Sequence, residues 1–380
     1  MPSHPLGPLS GIRVLDLSSY IAGPYAGSLL ADLGAEVIKI EPPGGDALRQ
    51  YPSTLAKESR AFLGTNRSKL GIVLDLKEPA GLSSLLRLAA KSDVLLHNLR
   101  PRVPAQLGID YPRLSQLNPR IIYCALSGYG ESGPLRDKAG YDQVLQAMTG
   151  ICRLQGENGA RPEIVYGSVV DYHAGGLLAF GISCALFHRE RTGKGQRVDL
   201  SLLAAALCMQ SARFIWAEGE PHEIDRDMRS GGVTGIHPAA EGDIYISANT
   251  PHFWKALCEL TGLLELAGDP RYDSVRKRNQ RSSEIVPPLR EALKARTAIE
   301  WESVFGERVP CAAVRTIADM FDYPQVLAEG LVTVMDHPQA GRYRGIRKPL
   351  KFSETPGPEP FAAPSLGQHT AEVLARLDKD

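Results

Sequence analysis

The chain has 380 residues, 43% apolar and 23% charged, a balance ordinary for a soluble globular protein of two or three domains with a sizeable core. Lys and Arg (43) match Asp and Glu (43) and form no long blocks, which argues against a nucleic-acid partner but not against a small anionic ligand. The start of the chain lacks a basic stretch followed by an apolar one, and no run approaches eighteen apolar residues, so a cytoplasmic, non-membrane protein is expected. Six cysteines lie scattered without a Cys-x-x-Cys pair, which predicts reduced core thiols and neither a zinc site nor a disulfide framework.

In chain order, short β-branched runs at 12–18, 36–41, 71–76, 93–99 and 120–127 read as strands. Segments 22–34, 78–92 and 102–108 read as helices or helical turns between them. Near-continuous apolar strands separated by helices predict an α/β fold with a doubly wound parallel sheet. A long helix is expected from about 172 to 190, stopped by the glycines of "RTGKGQ", and then a strand running into the Ala-rich "LLAAALC". Beyond residue 217 the composition turns polar and Gly-rich, as in a linker, and 243–325 reads as a smaller α/β unit. A Pro-rich tail and a short helix in "HTAEVLARL" close the chain.

"GYGESG" at 128–133 satisfies Gly-x-Gly-x-x-Gly directly after a strand, but "PLRDKAGYD" follows it with no amphipathic period. The dinucleotide fingerprint requires a helix there, so the expectation is only a glycine-rich loop at the ligand-binding edge of the sheet.

"GSVVDYHAGG" at 167–176 sets Asp171 where a helix begins, with Gly175 and Gly176 in its first turns. An N-capping carboxylate is the purely structural explanation. Each helical Gly costs about 1 kcal/mol relative to Ala, so two of them suggest that something approaches the backbone closely. The positive end of the helix dipole is expected to keep Asp171 ionised, and an ionised carboxylate is a nucleophile without a general base.

Lys138, Tyr141 and Asp142 lie just past the glycine loop, and Asn98 and Lys77 end strands. Arg67 and Lys69 read as surface residues with an option on phosphate. His173 is a base candidate only if it faces the same way as Asp171, and the Met and Trp residues read as core.

Seven ordered segments, "LSGIRVLDLSSYIAGPYAGSLLADLGAEVIKIEPPGGD", "NRSKLGIVLDLK", "DVLLHNLRP", "LNPRIIYCALSGYGESGPL", "AGYDQVLQAMTG", "VVDYHAGG" and "RTGKGQRVDLSL", together resemble the family III CoA-transferases of the CaiB/BaiF type. The likeness runs from about residue 9 to 216 and more loosely to "LGQHTAEVL". It implies a Rossmann-like large domain (1–216, completed by 330–380), a linker (217–242), a small domain (243–329), and two chains interlocked as a homodimer. It also implies that Asp171 is the catalytic residue. Ile21, Leu74, Lys77, Asn98, Leu99, Arg100, Lys138 and Tyr141 fall on the family's CoA-contacting positions. Coenzyme A and acyl-CoA would be substrates, with carboxylic acids as partners and no tightly bound cofactor or metal.

Three departures qualify the resemblance. Ile21 stands where formyl-CoA transferases carry glutamine, which disfavours a formyl or oxalyl group. Pro42 and Gln106 replace arginines that several relatives use for the nucleotide. The related 2-methylacyl-CoA racemases have "GHD" where this chain has "GYD", and a tyrosine of pKa about 10 is a poor acid/base partner at neutral pH, so transferase is expected over racemase. "RSGGVTG" at 229–235 is a candidate lid.

Overall fold

The computed structural model describes residues 6–55, 57–155, 161–220 and 232–379, and the chain divides into two compact units. The larger comprises the chain up to Gln155, Pro162–Ile215 and the stretch from Pro324 onward. Its six strands are β1 (Arg13–Asp16), β2 (Glu36–Glu41), β3 (Lys69–Val73), β4 (Val94–His97), β5 (Ile122–Ser127) and β6 (Arg197–Ser201). All pair in parallel, in the order β3-β2-β1-β4-β5-β6. The order reverses between β1 and β4, and in open α/β sheets ligands bind beyond the carboxyl ends of the strands at such a switch point.

The helices of this part are α1 (Ala22–Asp32), α2 (Arg60–Thr65), α3 (Pro79–Ala90), α4 (Val103–Leu107), α5 (Tyr111–Leu117), α6 (Asp142–Met148), α7 (Val169–Thr192) and α8 (Leu202–Cys208). The strand period of two sorts the apolar residues between two cores. Val14, Val37, Leu96, Cys124 and Leu126 face Ala26, Leu30, Ala174, Leu178, Ile182 and Ala205 of α1, α7 and α8. Leu15, Ile38, Ile72, Leu95 and Tyr123 face Leu85, Leu88 and Leu114 of α3 and α5. Both faces are covered, so the sheet is doubly wound as its sequence implied.

By length and composition alone α7 is apolar enough to cross a membrane, but Val170, Ala174, Leu178, Ile182 and Leu186 bury one side of it in the first core. Its close approach to α1 depends on Gly175. A Cβ there would lie 2.7 Å from the Ala22 carbonyl oxygen and 2.9 Å from the Tyr25 ring, whereas one on Gly176 would meet nothing.

The second unit, built mainly of Trp216–Tyr323, carries an antiparallel sheet β7 (Gly235–Pro238), β8 (Asp243–Ile246) and β9 (Cys311–Ala313). Its helices are α9 (Pro251–Thr261), α10 (Leu264–Ala267), α11 (Val275–Gln280), α12 (Ser282–Leu293) and α13 (Ala298–Phe305). Ile244, Ile246, Trp254, Leu257, Trp301 and Phe305 form its own core. A capping box between Thr297 and Glu300 starts α13, and Thr250 caps α9. Gly235–Pro238 of the stretch read as a linker is thus a strand, while 221–231 lie outside the described residues.

The chain then returns to the larger unit through α14 (Pro324–Ala328), the hairpin β10 (Val332–His337) and β11 (Gly341–Ile346), and α15 (Thr370–Lys379). Val373 and Leu377 of α15 complete the second core. The tail also closes the edge strand β3: Gly71 N–H donates to His369 Nδ1 (3.0 Å) and Val73 N–H to Thr370 Oγ1 (3.0 Å).

Several sequence expectations are corrected. Cys184 and Cys208 are exposed, not core thiols. Met148, Met209 and Trp216 are exposed as well. Arg67 and Lys69 are wholly buried: Arg67 pairs with Asp32 on α1, and Lys69 pairs with Asp16 at 2.8 Å. Neither is free for a phosphate.

Candidate active site

A cavity of about 960 Å³ opens at the carboxyl edge of the large sheet, at the switch point. The segments that follow four strands line it: Ser19–Ala22 after β1, Asn98–Pro101 after β4, Ser127 and Gly128 after β5, and Leu202 after β6. The N-terminal ends of α6 and α7 supply Tyr141–Gln143, Ser168, Asp171 and Tyr172. The glycine loop serves packing here. Gly128 crosses Gly140 so closely that a Cβ on either would lie within 3 Å of the other's Cα, and no helix opens at Gly133.

Of the residues singled out in the sequence, the cavity gathers Asp171, Ile21, Asn98, Leu99, Arg100, Lys138, Tyr141 and Asp142. Leu74 and Lys77 do not line it: Leu74 is 6% exposed in the second core, and Lys77 stands on the surface. His173 is not on the lining either, and its Nε2 is buried without a hydrogen-bond partner. In Asn98 the side-chain amide is engaged on the chain itself: Oδ1 accepts from Ser19 N–H at 2.9 Å, and Nδ2 donates to Ser19 C=O at 2.7 Å. Of the candidate lid, 229–231 lie outside the described residues.

Asp171 is not the cap of its helix. Ser168 occupies that position with a left-handed backbone (φ 58°) and no capping hydrogen bond, a conformation that costs a non-glycine residue of order 1 kcal/mol. The cap comes from α6. The buried Asp142 Oδ2 accepts from Val170 N–H (2.6 Å) and Asp171 N–H (3.0 Å), while its Oδ1 accepts from Gln146 Nε2 (2.5 Å).

The helix dipole and first-turn donors that were expected to hold Asp171 ionised are therefore occupied by Asp142. Among the described residues, no hydrogen bond or ion pair reaches the Asp171 carboxyl. Burial, and secondly the negative charge of Asp142, push its pKa up to about 7. The sequence reading of a permanently charged Asp171 is corrected on this point: near neutrality the carboxyl is divided between its two forms.

Around it the cavity mixes charge and aromatic surface. Arg100, Arg136 and Lys138 contribute cations, and the Tyr20 and Tyr141 rings meet edge to face at 5.6 Å. Tyr20 also has a left-handed backbone (φ 65°). Two of the four non-glycine residues with positive φ among those described thus lie on this one cavity. Unpartnered carboxyl, nearby cations and a cleft at the switch point together suit covalent chemistry on an anionic ligand. The described residues hold no cluster of metal-ligating side chains.

The family model for CoA-transferase family III matches residues 9–370. The chain belongs to CoA-transferase family III. This transferase is 33% identical to a succinate–glutarate CoA-transferase of Agrobacterium fabrum, over 98% of this chain and 96% of that one. It is 35% identical to an acetyl-CoA:oxalate CoA-transferase of Acetobacter aceti, over 98% and 96%. The crystal structure of a CaiB/BaiF family protein from Brucella suis superposes with a TM-score of 0.85 at 30% identity, covering 98% of the transferase and 100% of its own chain.

Proposed function

We propose that this transferase carries coenzyme A from an acyl-CoA to a free carboxylic acid through intermediates on Asp171. The observation that carries the reading is an unpartnered carboxyl inside the switch-point cavity, with burial making it more basic than an ordinary aspartate. The carboxylate oxygen attacks the thioester carbonyl and expels CoA thiolate, whose pKa of about 8.5 makes it a tolerable leaving group. The thiolate then attacks the side-chain carbonyl carbon of the mixed anhydride. This releases the first acid as its carboxylate and leaves an aspartyl-CoA thioester. The acceptor carboxylate attacks that thioester, and the same two steps in reverse return CoA on the new acid. Activation is conserved at every stage, so the cycle needs no ATP.

Arg100, Arg136 and Lys138 supply charge for the phosphates of CoA, and Asn98 acts on the loop after β1. Ile21 at the cavity wall favours an acyl group less polar than formyl or oxalyl. Tyr141 in place of a histidine argues against α-proton transfer of the racemase kind. We further propose a cytoplasmic homodimer, interlocked as the family resemblance implies. The exposed aromatic row on α7 supports a covered face there: Phe180 is 68% and Phe187 65% accessible in the single chain.

Trapping tests the chemistry. The enzyme incubated with an acyl-CoA and then borohydride or hydroxylamine should yield a peptide modified at residue 171 by mass spectrometry. Exchange of the substrate α-hydrogen in deuterated water without any acceptor acid, and no adduct, would overturn it.

A further inference from the structure

The loop from β1 to α1, which brings Ser19, Tyr20 and Ile21 to the cavity, lacks the glycines that usually let a switch-point loop turn tightly. Side chains hold it instead. Ser18 N–H donates to Asp16 Oδ1 (3.0 Å), and Ser18 C=O accepts from Lys39 Nζ. Ser19 has both backbone groups on Asn98, and Tyr20 N–H donates to Asp46 Oδ1 (3.2 Å). Five backbone groups in three successive residues are thus satisfied by side chains from β1, from β2 and the turn after it, and from the end of β4.

Beneath them lie four ionisable groups with side chains at most 1% exposed. Lys39 pairs with Asp46 at 2.9 Å and Lys69 with Asp16 at 2.8 Å. Lys69 Nζ spends its other donors on Pro24 C=O (2.7 Å), in the first turn of α1, and on Asn66 Oδ1 (2.9 Å). Gly27 makes room for this pair, since a Cβ there would lie 2.9 Å from Asp16 Oδ2 and 3.1 Å from Lys69 Nζ. Burial pulls Lys69 down to about 8, with Asp16 opposing it, so it stays mostly protonated at neutral pH and the four charges cancel.

From this geometry we infer that Asp16, Lys39, Asp46 and Lys69 are positioning residues: a neutral buried quartet that fixes the left-handed turn at Tyr20 and so preorganises the cavity for the CoA thioester. A hydrophobic packing of the same volume would serve stability as well as a buried ion pair does, but it would leave the backbone groups of Ser18 and Tyr20 without partners. The inference rests on the proposed function only in naming the ligand.

Two measurements test it. In the native enzyme, amide hydrogen exchange at Ser18, Ser19 and Tyr20 should be as slow as in β1, although these residues form a loop at a cavity. Exchange at the rate of an open loop overturns the inference, whatever the enzyme catalyses. The charge-balanced double variant K39M/D46N should retain its circular dichroism, exchange faster at 18–20, and raise KM for acyl-CoA about tenfold or more with a smaller change in kcat. The comparator R67M/D32N, which removes a buried pair away from the loop, should lose thermal stability with KM unchanged. Equal KM shifts in both doubles, or none in K39M/D46N, overturn the inference. A native enzyme that binds acyl-CoA but forms no adduct at Asp171 overturns the proposed chemistry alone.

Discussion

At the scale of single residues, the determining feature is the pair of carboxylates at the mouth of α7. Asp142 fixes the helix start, and by taking the first-turn donors it leaves Asp171 with the cost of burial. The nucleophilic form appears only as pH rises through about 7, so kcat/KM should climb toward a plateau with a midpoint near that value. Asp142→Asn keeps an oxygen for the cap and removes the second cause of the shift, so its pH–rate midpoint should move to lower pH while staying above the ordinary aspartate range; an unmoved midpoint would refute the coupling. Asp171→Asn should cut transfer by on the order of a thousandfold or more. The sign of its stability effect follows from linkage. A folded pKa raised above the unfolded 3.8 means that the contribution is full below about pH 4 and lost as pH rises through 7. Asp171→Asn should therefore unfold at higher denaturant than the native enzyme at pH 8, by of order 2 kcal/mol, and show no gain at pH 4. Little of this pairing is legible in the sequence. Asp142 and Asp171 stand 29 positions apart, as Arg67 and Asp32 stand 35 and Lys69 and Asp16 stand 53, and a charge beside a strand looks the same whether or not a distant partner buries it.

At the scale of elements, the two adjacent glycines of α7 divide the work that their sequence suggested for both. Gly175 admits α1, and the structure names what approaches it: the Ala22 carbonyl and the Tyr25 ring. Gly176 faces open space in the single chain. Gly175→Ala should force α1 and α7 apart and cost about 1–3 kcal/mol in chemical denaturation. Because α1 carries Ile21 and Ala22 at its start, that variant should also lose affinity for acyl-CoA. Gly176→Ala should gain up to about 1 kcal/mol from helix propensity. Strand positions were readable because a parallel sheet covered on both faces demands apolar runs, and 36–41 was found as β2 to the residue. The short α2 and α5 were not, since five to seven residues carry too little periodicity to separate a helix from a turn. Leu74 illustrates the same limit at the site: the β3 end was identified, but not which face its residues take.

At the scale of the whole molecule, a chain with no net charge has little electrostatic repulsion to oppose self-association, so its exposed apolar surface decides what it meets. On α7 the helical period places Gly176, Phe180 and Phe187 on one stripe, opposite the side buried against the sheet. Two phenylalanines exposed on a helix otherwise packed in the core are an expensive surface to leave in water, at about 1.5–3 kcal/mol for each side chain that becomes buried. Closing that stripe against a second copy is the arrangement proposed here. The mass in solution should then be twice 41.2 kDa by light scattering. F180D/F187D should lower it toward the single-chain value without disturbing the larger unit's core, because neither ring contributes to that core. If the double variant stays dimeric, the aromatic row is not the contact. If it becomes monomeric and retains acyl-CoA binding, the cavity is complete within one chain, as the switch-point geometry requires, since every residue that lines it comes from the larger unit.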